Sequence, residues 1–70
     1  MKENLITIEK IYSIAHDYFP KGHTRVEIWD IGLKFVNQTA EGEKTAFLQR
    51  ELNLIDETSI RGFLDAEIES

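Results

Sequence analysis

The chain has 70 residues, no cysteine, and thirteen acidic against eight basic side chains, for a net charge of −5. That length holds one small domain, spanning 1–70, with no room for a second core or a separate catalytic lobe. Disulfides and thiolate metal sites are excluded, and a surplus of acid disfavours direct binding to nucleic acid or to an anionic membrane.

A first helix is predicted after Thr7, a suitable N-cap with Glu9 in the first turn. Ile8, Ile11, Tyr12, Ala15, Tyr18 and Phe19 draw its apolar stripe, Ile14 lies off it, and Pro20 and Gly22 end it. Arg25 to Trp29 then alternates charged and apolar residues as a strand, with Val26 and Ile28 on one face. Asp30-Ile31-Gly32 reads as a tight turn with a left-handed glycine. Leu33 to Thr39 is a second strand with Leu33 and Phe35 on one face. Ala40-Glu41-Gly42-Glu43 is the next turn.

Residues 44–55 fit two patterns. As a strand, Lys44 to Glu51 puts Ala46 and Leu48 on one face; as a helix, Phe47, Leu48, Leu52 and Ile55 share a side. The strand is the preferred reading. A final helix begins at Asp56 or Ser59 and runs to Ile68, with a stripe of Ile60, Phe63, Leu64 and Ile68 interrupted by Gly62. The order α-β-β-β-α defines an α+β domain, a three-stranded antiparallel meander with a helix at each end.

Two helices cover one face of such a sheet, and the other face still holds some of Trp29, Ile31, Val36 and Phe47. Such an apolar patch on a small domain marks an interface. A chain this short has marginal stability, and without disulfide or metal the expected staple is a homodimer formed through the sheet. Trp29 accordingly reads as a core or dimer-interface aromatic, or else as a hot spot for another protein.

No motif for chemistry stands out. His16 and His23 lack the further ligands a metal site needs, so no metal and no cofactor are expected. The serines lack a strained-turn motif, and the carboxylate pairs Glu41/Glu43 and Asp56/Glu57 sit where acids are ordinarily solvated. The expectation is a protein that is not an enzyme. The opening MKENLITIEK has no uninterrupted apolar stretch of the kind a secretory signal carries, which suggests an intracellular setting.

Charge is segregated. Residues 1–35 hold five bases and five acids, whereas residues 36–70 hold three bases and eight acids: Glu41, Glu43, Glu51, Asp56, Glu57, Asp65, Glu67 and Glu69. On the last helix Glu57, Arg61, Asp65 and Glu69 recur every four residues, so Arg61 is expected to pair with Glu57 and Asp65. Asp65, Glu67 and Glu69 gather at the helix C-terminus, where the dipole disfavours anions. Solubility is one purpose for acids so placed; binding a basic partner is another. Acids two apart on a strand lie about 6.6 Å apart and i,i+4 acids on a helix about 6 Å apart along the axis, a spacing comparable to that of phosphates on a DNA strand.

With its acid-rich end LDAEIES, the EGE of its second turn, its size and its lack of cysteine, the chain resembles small host-takeover proteins of bacteriophages. It is most similar to acidic DNA mimics that block the bacterial nucleoid protein HU. That resemblance implies a non-enzymatic inhibitor in the cytoplasm of a bacterial host, occupying the DNA-binding surface of a basic, HU-like protein with the eight acids just named. The alternative expectation is a protein–protein adaptor or antitoxin-like module, binding through the apolar patch around Trp29.

Overall fold

A computed structural model describes residues 6–69, except for the side chain of Glu69. The element order is α1 (Ile8–Tyr18), β1 (His23–Trp29), β2 (Gly32–Thr39), β3 (Gly42–Gln49), a short 3-10 turn (Leu52–Leu54) and α2 (Glu57–Glu69). The strands form one antiparallel sheet in the order β1-β2-β3. The architecture is α+β, and residues 44–49 are strand.

Both helices start where local chemistry supplies a cap. The Thr7 hydroxyl accepts from the Lys10 N–H at 3.1 Å, satisfying one of the orphan donors of α1. The Asp56 carboxylate accepts from the Ser59 N–H at 2.8 Å and does the same for α2. Asp56 is therefore the cap, and the helix proper starts at Glu57.

Two short hairpins set the register. Trp29 pairs with Gly32 around Asp30-Ile31, and Thr39 pairs with Gly42 around Ala40-Glu41. Among the described residues no non-glycine takes a positive φ, so in each hairpin the unusual conformation falls on the glycine after the turn: φ is +153° at Gly32 and +137° at Gly42. From there the cross-strand triplets Val26–Phe35–Ala46 and Ile28–Leu33–Leu48 lie on the inner face, and Glu27–Lys34–Phe47 and Arg25–Val36–Thr45 on the outer one.

The helices pack on the inner face. Ile11, Ile14 and Ala15 of α1, Leu33 and Phe35 of β2, Ile55, and Ile60 and Leu64 of α2 form the buried core. Ile14 belongs to it although it lies off the predicted stripe, while Ile8, on that stripe, is exposed. The buried face of α1 is centred one flank over, on Ile11, Ile14, Ala15 and Tyr18, which also satisfy i, i+3, i+4, i+7 spacing. Ile68 likewise fits the stripe of α2 and is exposed at its last turn.

Asn37, the one buried polar residue among those described, stands in the middle strand and donates to the Lys21 carbonyl at 3.0 Å and to the Thr24 hydroxyl at 3.3 Å. A buried amide without such partners would be costly. Here it ties the α1–β1 connection to the sheet.

The helices run side by side in the same direction. Lys10 and Glu57 pair near their starts at 3.4 Å, and Asp17 and Arg61 pair further along at 3.0 Å. The Tyr18 hydroxyl, at the end of α1, donates to the Arg61 carbonyl at 3.2 Å.

Candidate interaction surfaces

The sheet geometry sorts the eight predicted acids into groups. Glu41 sits in the β2–β3 turn and Glu43 at the start of β3. They line a shallow depression with Tyr18, Phe19, Lys44 and Ile68. Glu67 lines the adjoining groove with Phe19, Phe35, Lys44 and Ile68. These three acids therefore share one end of the molecule, because α2 ends where the β2–β3 hairpin turns, and Lys44 is the base among them. Asp65, two residues earlier on α2, lies beside the Tyr18 hydroxyl.

The other acids belong to the opposite end or to the fold itself. Glu51 precedes the 3-10 turn, and its carbonyl accepts from the Leu54 N–H at 2.9 Å. The Asp56 carboxyl is held below its ordinary range, chiefly by the Ser59 N–H that it caps. The Glu57 carboxyl is also held low, first by the Arg61 guanidinium at 2.8 Å and then by Lys10. Glu69 closes α2; its side chain lies outside the described residues.

Arg61 departs from the expected ladder. It binds Glu57 and, across the helix pair, Asp17, and it makes no ion pair with Asp65 among the described residues. With Glu57 one turn before it and the end of α1 alongside, Nε and Nη2 of the guanidinium are turned to Glu57 and Asp17 instead. Both anions raise the guanidinium above its usual value, so Arg61 stays charged throughout. The Tyr18 hydroxyl is raised as well, chiefly by burial between the helices. None of the ion pairs among the described residues engages Glu41, Glu43, Glu51 or Asp65.

The outer face of the sheet carries the predicted apolar patch in part. Trp29, Ile31 and Phe47 come together around the Lys34 side chain and are 47%, 52% and 37% exposed. The indole N–H of Trp29 donates to Glu27 at 3.3 Å, and Glu27 accepts from Arg25 at 3.1 Å. A polar row along β1 thus pins the ring on the surface. Trp29 is not a core residue. Val36 faces the same side but is only 2% exposed, so it adds no accessible surface to the patch. It sits in the central strand with Arg25 and Thr45 directly across on either side, and flanking side chains shield such a position.

A second apolar surface escapes the sequence reading. Ile6, Ile8, Ile11, Ile28, Leu33, Leu52 and Ile55 line a groove between the start of α1, the end of β1 and the 3-10 turn. Ile28 alternates correctly onto the inner face, yet it stands where the helices leave the sheet open and is exposed. The signal is faint: Ile6 belongs to no helix or strand stripe, and Leu52 and Ile55 fit only the helical alternative for residues 44–55.

His16 and His23 are both exposed, and no group of three or more metal-ligating side chains occurs among the described residues. No helix among them is long and apolar enough to cross a membrane. No family model matches the chain, and no curated protein or solved structure matches it either.

Proposed function

We propose that this protein is a non-enzymatic inhibitor that occupies the DNA-binding surface of a basic, two-fold-symmetric DNA-binding protein of the HU type, standing in for the nucleic acid with its carboxylates and acting as a homodimer in the host cytoplasm. The observation that supports this most is the grouping of Glu41, Glu43 and Glu67 at one end of the molecule. There the turn acids EGE and the acid-rich last turns of α2 converge from opposite ends of the second half of the chain. Glu41, Glu43, Glu51 and Asp65 are exposed and take part in none of the ion pairs among the described residues.

Asp56 and Glu57 contribute charge to the field but are committed to the cap and the helix pair. With those two set aside, the exposed carboxylates proposed to meet the partner at this end are Glu41 and Glu43, with Asp65 on the preceding part of α2. A dimer doubles the net charge of −5 and repeats the acidic end about a two-fold axis. Fixed carboxylates meeting Lys and Arg across an interface give fast association that weakens with salt.

The test is a competition titration. A labelled DNA duplex bound to an HU-type protein is displaced by this chain while fluorescence anisotropy is followed at several salt concentrations. Displacement that weakens steeply with salt, and is weakened by Glu41→Lys with Glu43→Lys in a variant of native circular dichroism, is the expected result. Failure to displace the duplex at low salt would refute the mimicry.

A second reading rests on the outer-face patch. Trp29, Ile31 and Phe47 form the exposed apolar centre of an adaptor surface, with Lys34, Glu27 and Arg25 as its charged rim. It would show as partner binding with modest salt dependence that Trp29→Ala abolishes.

A further inference from the structure

The two edges of the sheet are not equivalent. In an antiparallel ladder alternate residues turn their backbone groups toward the neighbour and the rest turn them away. The Arg50 N–H donates to the Ile31 carbonyl at 3.1 Å, continuing the β2–β3 ladder and fixing that alternation. The N–H and C=O groups of Glu43, Thr45, Phe47 and Gln49 therefore point away from β2, along the open side of β3. No hydrogen bond engages them among the described residues.

The β1 edge is managed differently. There Thr24, Val26 and Ile28 turn outward, and the Val26 N–H donates to the Tyr12 hydroxyl of α1 at 3.1 Å. Arg25 and Glu27 add an ion pair alongside. Folded proteins normally block an exposed edge by such coverage and charge. On β3, from Thr45 to Gln49, no charged residue interrupts the strand, and Phe47 is exposed beside it.

We propose that the open edge of β3 is a strand-pairing site and that its occupant is β3 of a second copy of this chain. The two sheets join antiparallel across a two-fold axis into one six-stranded sheet. This deepens the self-association in the reading above and rests on it.

The sequence of β3 is complementary to itself in that arrangement. Outward-turned residues must face outward-turned residues, and the register that uses all of Glu43 to Gln49 sets Glu43 opposite Gln49 of the second copy and Thr45 opposite Phe47 of the second copy. Lys44 then faces Leu48, and Ala46 faces Ala46. No like charges are directly opposed, and Phe47 gains a β-branched neighbour, a favourable cross-strand pairing. The acidic ends stay outside the new junction except for Glu43, which borders it.

Hydrogen exchange combined with mass in solution tests this. The expected result is a species of twice the 8.1 kDa chain mass. On concentration, the amides of Glu43, Thr45, Phe47 and Gln49 should slow by roughly tenfold or more while those of Thr24 and Ile28 do not. Thr45→Pro removes an N–H that the internal ladder does not use, and should give chain mass with native circular dichroism. A dimer whose four β3 amides exchange as fast as those of Thr24 and Ile28 would overturn the edge pairing and leave self-association by another surface standing. Chain mass at every concentration would overturn both.

Discussion

Alanine at Gly32 and alanine at Gly42 isolate two physical effects that hairpin glycines usually combine. Both residues follow a two-residue turn with positive φ, +153° and +137°. A side chain rarely adopts that conformation, and holding one there costs about 1–3 kcal/mol. At Gly42 a Cβ would meet nothing within 4 Å, so Gly42→Ala should cost that conformational amount and no more. At Gly32 the same Cβ would fall 2.1 Å from the Leu48 carbonyl oxygen, a backbone atom that moves only with β3 itself. Relieving the clash parts the strand ends beside the Arg50–Ile31 hydrogen bond, and losing that bond adds about 0.5–1.5 kcal/mol. Gly32→Ala should therefore be the worse variant by about 1 kcal/mol or more, which in a domain of this size is roughly 4–8 °C of Tm per kcal/mol. Thermal unfolding followed by circular dichroism measures both. Equal losses, or a larger loss at Gly42, would show that the approach of Leu48 does not constrain this hairpin. The hairpin matters beyond stability, because it carries Trp29 and Ile31 to the outer-face patch.

Other substitutions probe other parts of the molecule. Gly62 is exposed within α2 with open space around a prospective Cβ, so Gly62→Ala should raise stability by about 1 kcal/mol, read as a higher Tm. Leu64 is fully buried against the sheet, and Leu64→Ala should cost about 2–5 kcal/mol, enough to leave so small a domain largely unfolded in a denaturant titration. Asp56 and Glu57 have carboxyls lowered by the helix cap and by Arg61. Their stabilisation is present above the ordinary carboxylate range and lost as pH falls through their depressed values, and Asp56→Asn with Glu57→Gln should flatten the acid limb of a Tm-versus-pH curve. Tyr12→Phe removes the hydroxyl that accepts from Val26, and the Val26 amide should then exchange faster with the fold intact.

Local patterns in the sequence carried the element order and the turns. Period-two alternation marked β1 and β2, Thr7 and Asp56 offered caps, and glycine followed each turn. The apolar spacing of residues 44–55 suited both a strand and a helix. Pairing with β2 decided it, since a strand at 44–49 satisfies the middle strand's second edge and a helix there would leave that edge open. The charge surplus of the second half was equally legible, but not its geography. Acids far apart in the chain, Glu41 and Glu67, come to the same end of the molecule because α2 ends at the β2–β3 turn. Glu57 and Asp65, each four residues from Arg61, have different fates because the guanidinium turns to Glu57 and across to Asp17, and Lys10 of α1 adds a second partner to Glu57 alone.

The sequence by itself determined net charge, a plain sum over the chain, and periodicity, caps and turns, which depend on residues within about one turn or one strand of each other. Only the tertiary structure decided which faces those patterns show. Burial and salt bridging depend on what lies across a gap rather than along the chain: Val36 is covered by strands on both sides, Ile14 is buried beneath the sheet, and Arg61 reaches across to Asp17.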